Sequence, residues 1–227
     1  MAELRNPELF DSIIKKASLK QNVYRKTLSA FIMLKTIIQQ MEKEYLSHPK
    51  PDDPLIFFEF IDKGTFEMEL KFGSDVLVFV MHTNVFEFPR DHEVMKTNYV
   101  TDDKDRSYCG IIHIYNFLAD SFKYNRVNDV GYLIGRILIN KEDHYYLEGK
   151  REIGLLYNNF ATSQINEESL SDVVRQAIMY TLNFDLLTPP YDTIKEVTVS
   201  DMQATIDNIS LKTGKRLGFR FQADIER

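Results

Sequence analysis

The sequence TFEMELKFGSDVLVFVM, residues 65–81, predicts two antiparallel strands joined by a tight turn. Its second half, residues 76–81, is apolar at every position, which indicates a central strand covered on both faces. Gly73, Ser74 and Asp75 between the halves are typical turn residues. The first half alternates between two kinds of side chain, as a half-buried strand with one solvated face does. Its apolar members are Phe66, Met68, Leu70 and Phe72, and its polar members are Glu67, Glu69 and Lys71.

Strand patterns continue on both sides of this pair. Residues 55–61 are rich in aromatic and β-branched side chains and lead through the turn at residues 62–64 into residue 65. Three strands with such short links predict an antiparallel meander. Residues 108–117 and 131–140 indicate two further strands, and residues 144–147 and 153–157 a hairpin around residues 148–150. No pattern decides the structure of residues 118–130.

A long helical region precedes the strands, with Asn6 and Pro7 suited to its start and Pro49 to its end. Lys20 and Thr27 interrupt its heptad pattern, so we expect residues 7–47 to form either one helix or two with a break in residues 18–22. Its apolar residues at a and d heptad positions are Phe10, Ile13, Ala17, Tyr24, Phe31, Leu34, Ile38, Met41 and Tyr45. Off this seam, Leu28, Ile32 and Met33 add apolar surface, so we expect burial on two sides, one against the sheet and the other against a partner chain.

A second helix is predicted from its cap at Asn166 to about Asn183. We expect a short last helix over residues 200–214 and a terminal strand over residues 217–223. The predicted fold is therefore α+β: an antiparallel sheet of about six to seven strands, packed against the long N-terminal helical region and a helix in the C-terminal half. We expect one domain, residues 1–227, with helices in 1–48, mostly sheet in 55–160, and helices plus the terminal strand in 166–227.

Composition narrows the class of protein. The chain has 227 residues, a net charge of −6 and one cysteine, Cys109, so an internal disulfide is excluded and a reducing, cytoplasmic location is expected. The negative charge argues against bulk nucleic-acid binding. No apolar stretch approaches the ~20 residues of a membrane span, so no membrane association is expected.

Motifs for metal, phosphate or nucleophilic chemistry are missing from the sequence. The five histidines are not spaced as metal ligands, so we expect neither a metal nor another cofactor. Cys109 and His113 lie four residues apart in a predicted strand, ~13 Å, which is too far for a nucleophile and its base. Gly131 and Gly135 fall within an apolar strand rather than in a phosphate-binding loop.

One region combines Asn, Asp, Arg and His with aromatic residues, as a ligand pocket does. The alternative is that these polar residues form turns and solvated surface, which is the usual place for Asn and Asp. Arg136 lies within an apolar strand and must be either solvated or paired. The candidate ligand-binding residues are His82, Asn84, His113, Asn116, Asp120, Arg126, Asp129 and Arg136.

Charge is distributed unevenly. Six basic residues and no acidic residue lie between Asp11 and Glu42. Residues 1–48 hold eight Lys or Arg against five Asp or Glu, a net of +3, which leaves −9 for the rest of the chain. This asymmetry indicates either self-association of a basic helix with an acidic body, an acidic partner, or a solvated helix face.

Two hypotheses of function follow. The first is a non-enzymatic binding or protein-interaction module that forms a homo-oligomer through the N-terminal helical region. The alternative is an enzyme that acts on a small polar or phosphorylated molecule at a polar–aromatic pocket on the sheet. In both, residues 90–106 are expected to be a mobile, charged loop with few buried contacts, able to close over a site or dock a partner.

Overall fold

The computed structural model describes residues 6–54, 56–149, 159–188, 190–200 and 202. It has the predicted α+β fold. The helices are α1 Pro7–Ser47, α2 Asn98–Asp102, α3 Ala119–Lys123, α4 Glu167–Leu182 and α5 Tyr191–Ile194. The strands are β1 Phe58–Asp62, β2 Glu67–Phe72, β3 Asp75–Met81, β4 Phe86–Glu87, β5 Tyr108–Leu118, β6 Tyr132–Asn140 and β7 Tyr145–Gly149.

The seven strands form one antiparallel sheet with the order β1-β2-β3-β5-β6-β7. The short strand β4 pairs with the start of β5, where Phe86 is opposite Cys109. The 11-residue strand β5 therefore lies at the centre of the sheet, bonded to β3 and β4 on one side and to β6 on the other. The predicted meander is confirmed as β1, β2 and β3.

Helices α1 and α4 cover the same face of the sheet, which we call the helix face. Phe31 and Leu34 of α1 share one core with Leu170 of α4 and with Phe79 and Ile112 of the sheet. Asn166 caps α4 as predicted, because its side chain accepts a hydrogen bond from the Ser169 backbone N–H at 2.8 Å. Both helices therefore cover a single core.

The structure decides between the two alternatives for residues 7–47, which form one helix of 41 residues without a break. Leu19, which lies off the heptad seam, is buried, and so is Thr27. The Thr27 hydroxyl donates to the backbone oxygen of Val23 at 2.8 Å, so burial leaves this group hydrogen-bonded. Ile32 is 55% exposed, so the sheet covers α1 on one side only and burial of its other side by a partner stays a prediction.

Helix α1 lies very close to β5 at Gly110. A Cβ atom placed on Gly110 would lie 2.0 Å from the Thr27 Oγ1 atom and 2.8 Å from its Cβ. Contacts this short between non-bonded atoms are not tolerated, so only glycine allows the helix to approach the strand at this point.

The opposite face of the sheet, which we call the open face, is covered in part by residues 88–107. Val94 and Val100 are buried there with Phe88, Ile111 and Tyr146. The expectation that residues 90–106 have few buried contacts is wrong, since α2 and the two 3-10 turns Glu93–Lys96 and Lys104–Ser107 place their scattered apolar residues on one side.

Polar contacts tie this segment to the turn between β6 and β7. Glu142 accepts hydrogen bonds from the Tyr99 hydroxyl at 2.8 Å and from Arg106 Nε at 3.0 Å. Lys141 Nζ lies 2.5 Å from Asp103 Oδ2 and lowers the pKa of that carboxyl. Partial burial opposes ionisation of Glu142, but the hydrogen bonds from Tyr99 and Arg106 outweigh it and lower its pKa.

Strand β2 departs from the predicted alternation on its polar side. Glu69 is only 3% exposed rather than solvated. Its carboxylate lies 3.1 Å from Lys63 Nζ and 3.5 Å from Lys71 Nζ, so the charge is buried between two cations.

Several sequence predictions fall outside the described residues or are now resolved. Four of them concern residues that the structure does not describe: the strand at residues 153–157, the turn at residue 150, the strand at residues 217–223 and most of the helix at residues 200–214. Residues 118–130, left open by the sequence, contain α3 followed by turns in which Asn125 has a positive φ of 51°.

We expect Gly110→Ala to lower the free energy of unfolding by about 1–3 kcal/mol, because the added methyl group overpacks the contact with Thr27. In a Thr27→Ala background, which removes Oγ1, the same change should cost less by about 1 kcal/mol. Urea unfolding of the two single variants and the double variant measures this coupling. An equal cost in both backgrounds would show that Thr27 is not the contact that excludes a side chain.

We expect Glu142→Gln to lower the free energy of unfolding by about 1 kcal/mol at pH 7, after allowance for partial exposure. The pKa of Glu142 is lowered in the folded chain from its ordinary value of 4.5. Its stabilising effect is therefore complete above that value and is lost as the pH falls through the lower folded-state pKa. The difference between wild type and variant should accordingly shrink below pH 4.5.

Urea unfolding measured at pH 7 and again below pH 4.5 tests this expectation. Glu59→Gln on the edge strand β1 is the control, because Glu59 is exposed and its loss should change stability by less than about 0.5 kcal/mol. Tryptic cleavage after Lys104 should also become faster in Glu142→Gln alone. A cost that stays constant with pH would rule out an ionic role for Glu142.

Candidate functional site

The eight candidate residues do not meet in one place. Four of them, Asn116, Asp120, Arg126 and Asp129, lie at one edge of the molecule. His113 and Arg136 lie on the open face, and His82 and Asn84 follow the end of β3. The expectation of one sheet face fails for His113 and Asn116, because residues three apart in β5 point to opposite faces.

Asp120 and Arg126 of this first group line a cavity of about 850 Å³, which we call the edge cavity. It lies where the β2–β3 turn, the end of β5, α3 and the end of α4 come together. Its polar lining consists of Ser74, Asp75, Asp120, Arg126, Thr181 and Asp185, and its apolar lining of Phe72, Leu118, Leu182, Phe184 and Leu186.

Asp75 forms a fixed part of the wall of the edge cavity. It is 6% exposed, and its Oδ1 atom lies 3.3 Å from Asn116 Nδ2, which donates a hydrogen bond to it. Asn116 is itself buried and lies beside the cavity rather than in its lining. Asn116 thus acts through Asp75, whose carboxylate it orients.

Arg126 and Asp129 hold the loop after α3. The Arg126 side chain is 9% exposed and its Nη1 atom lies 4.0 Å from Asp129 Oδ2. Asp129 accepts a hydrogen bond from the Ser121 hydroxyl at 2.7 Å, and the Arg126 guanidinium lies 5.3 Å from the centre of the Tyr124 ring. The loop therefore carries its own ion pair against the cavity.

The second group forms a charged row across the open face. His113 of β5 is paired in register with Arg136 of β6, which in turn is paired with Glu148 of β7. Arg136 Nε donates to the Glu148 carboxylate, and His92 Nε2 lies 3.5 Å from Glu148 Oε1. Arg136 is therefore paired, which was one of the two readings left open by the sequence.

Burial lowers the pKa of His113, and the positive charge of Arg136 and the proximity of His82 lower it further. His82 contacts the edge of the Phe86 ring at 4.8 Å, and its Nδ1 atom accepts a hydrogen bond from the Asn84 backbone N–H at 3.0 Å. Asn84 thus shapes the turn after β3.

A third feature is the first part of α1. Every residue from 7 to 18 is exposed. Leu9, Phe10, Ile13 and Ile14 lie close together on the helix surface and are 46–62% exposed. We call these four side chains the α1 stripe.

Cys109 does not lie in an environment that activates a thiol. Cys109 is buried, and burial raises the pKa of its thiol well above the ordinary value, so the thiol is kept protonated. Within the described ranges, no group of three or more His, Cys, Asp or Glu side chains is placed to hold a metal ion. No helix in those ranges has both the length and the apolar character needed to cross a membrane.

Sequence reasoning missed Asp75, Thr181 and Asp185 as parts of the edge cavity. Asp75 resembled a turn residue, and the other two lie at or just after the end of α4, about a hundred residues from β3 in sequence. It also left Leu9 and Ile14 outside the heptad seam. Comparisons with protein-family models, with curated proteins and with solved structures find no match for this chain.

We expect Arg136→Met to raise the pKa of His113, because a positive charge that disfavours the imidazolium form is removed. The pKa should remain below the ordinary 6.5, since burial is the largest cause of its lowering. An NMR titration of the His113 ring protons measures the shift. Arg175→Met on α4, on the other side of the sheet, is the control, and equal titration of His113 in all three proteins would contradict this account.

Proposed function

We propose that this chain is a protein-interaction module rather than an enzyme, and that the α1 stripe binds a second copy of the chain. The observation that carries the proposal is the exposure of the stripe. Its four large apolar side chains are 46–62% exposed, although the same helix buries its later apolar residues against the sheet. Apolar side chains grouped in this way on a surface are typical of an interaction site.

The α1 stripe continues the apolar seam of the helix beyond the sheet. Phe31, Leu34 and Ile38 occupy the seam and are fully buried in the helix face core. Phe10 and Ile13 occupy the same heptad positions about two turns before Leu19, the first buried residue of α1. Burial of a large apolar side chain contributes about 1.5–3 kcal/mol, so covering the stripe is favourable.

A second copy of the chain is the partner that the surface favours. An apolar stripe can pack against the same stripe of another copy about a two-fold axis, without any other apolar surface. Glu8, Asp11 and Lys15 lie on the opposite side of the helix and stay solvated in such a pair. Residues 7–18 hold Glu8 and Asp11 against Lys15 and Lys16, so their net charge is zero and adds no repulsion when two stripes pair.

The size of the stripe predicts a weak dimer. Residues 9–14 span less than two helical turns, about 9 Å, and a stable interface usually buries about 800 Å² on each partner. Four side chains supply less than that. We therefore expect a reversible dimer with a Kd on the order of micromolar.

The enzyme alternative takes second place, because its candidate residues lie on two faces of the sheet and at one edge. A cytoplasmic location is part of the proposal. It is supported by Cys109, a lone and buried thiol that suits a reducing compartment.

We expect Ile13→Asp to weaken the dimer at least about tenfold, because the change puts a charge into the stripe. Ile32→Asp is the matched control, since Ile13 and Ile32 are both 55% exposed on the same helix. Sedimentation equilibrium from about 1 to 200 µM measures the three dimer constants. The free energy of unfolding of both variants, measured in urea, should equal that of the wild type to within about 0.5 kcal/mol.

Two outcomes contradict the proposal. One is a wild-type chain that remains a monomer at the highest concentration. The other is an equal effect of the two aspartates. Binding of monomeric chain to anionic lipid vesicles, abolished by Ile13→Asp alone, would assign the α1 stripe to a membrane surface instead.

A further inference from the structure

The edge cavity has the size and the mixed lining of a ligand site, independently of the α1 stripe. We propose that it binds an organic cation in which an ammonium group is attached to an apolar body. No residue of α1 lines the cavity, so this binding is separate from self-association.

The size and the apolar lining of the cavity favour a ligand with an apolar body. The volume of about 850 Å³ falls within the range of small-molecule sites, about 300–1,000 Å³. Phe72, Leu118, Leu182, Phe184 and Leu186 supply the apolar surface. A hydrocarbon or aromatic ligand body gains by burial against these side chains.

The charged side chains around the cavity favour an ammonium group on that ligand. Three carboxylates, Asp75, Asp120 and Asp185, line the cavity against one guanidinium, that of Arg126. Asp129, 4.0 Å from Arg126 Nη1, offsets the charge of that guanidinium from the side of the loop. Asp120 and Asp185, the exposed carboxylates of the lining, therefore attract a cation and repel an anion.

The end of α4 adds to this field. Its last residues, Thr181 and Leu182, line the cavity, and its last turn holds no basic residue. The carbonyl groups at a helix C-terminus carry partial negative charge, which favours a cation within about one turn.

Part of the cavity wall is held in place before any ligand arrives. Asp75 is buried and hydrogen-bonded to Asn116, and the side chains of Arg126 and Asp129 are 9% and 4% exposed. Asp120 and Asp185 are exposed. A fixed wall reduces the ordering cost of binding, and exposed carboxylates can be changed without disturbing the core.

Three probes of one shape test the proposal on the full chain: 2-phenylethylammonium, its neutral analogue 2-phenylethanol, and the anion phenylacetate. Binding is followed by NMR shift changes at Leu118 and Phe184. The ammonium should bind about tenfold or more tightly than the alcohol, and the anion should bind most weakly. Ile13→Asp should leave all three affinities unchanged, so the test of the edge cavity does not depend on whether the chain forms a dimer.

Asp120→Asn with Asp185→Asn should weaken ammonium binding about tenfold and leave alcohol binding unchanged. The control is Asp91→Asn, an exposed carboxylate outside the cavity, which should have no effect. Equal binding of ammonium and alcohol, an unaltered affinity in the double variant, or shift changes confined to other parts of the chain would each overturn the proposal.

Discussion

The close contact between α1 and β5 at Gly110 is the constraint on which the rest of the structure depends. A 41-residue helix is about 60 Å long, whereas the longest strand, with 11 residues, spans about 36 Å. The helix is therefore longer than the sheet that it covers. Because Thr27 rests on Gly110, residues before about Leu19 extend past the packed region and the later apolar residues are buried. The same contact thus produces both the core and the exposed α1 stripe.

The two faces of the sheet are stabilised in different ways. The helix face holds the large apolar core under α1 and α4. The open face combines a smaller apolar cluster under residues 88–107 with ionic contacts, among them the row from His113 through Arg136 to Glu148. The edge cavity lies at the margin of this arrangement, where turns and helix ends meet.

The sequence predicted those elements in which one pattern of apolar and polar residues continued over several positions. The alternation in β2, the apolar run of β3 and the cap of α4 at Asn166 predicted elements that the structure contains. It was less informative about contacts between distant segments. The burial of Glu69 depends on Lys63 as well as Lys71, and the packing of Val94 and Val100 depends on Phe160. Part of the candidate site could have been corrected from sequence alone, since His113 and Asn116, three apart in one strand, must face opposite ways.

The central claim is that the α1 stripe is uncovered in one copy of the chain and covered by the stripe of a second. Amide hydrogen exchange at low and high protein concentration tests both halves of this claim at once. The account predicts fast exchange in residues 7–18 at low micromolar concentration, slower exchange there at a hundredfold higher concentration, and slow exchange in residues 23–38 at both. Protection of residues 7–18 that does not change with concentration would contradict it.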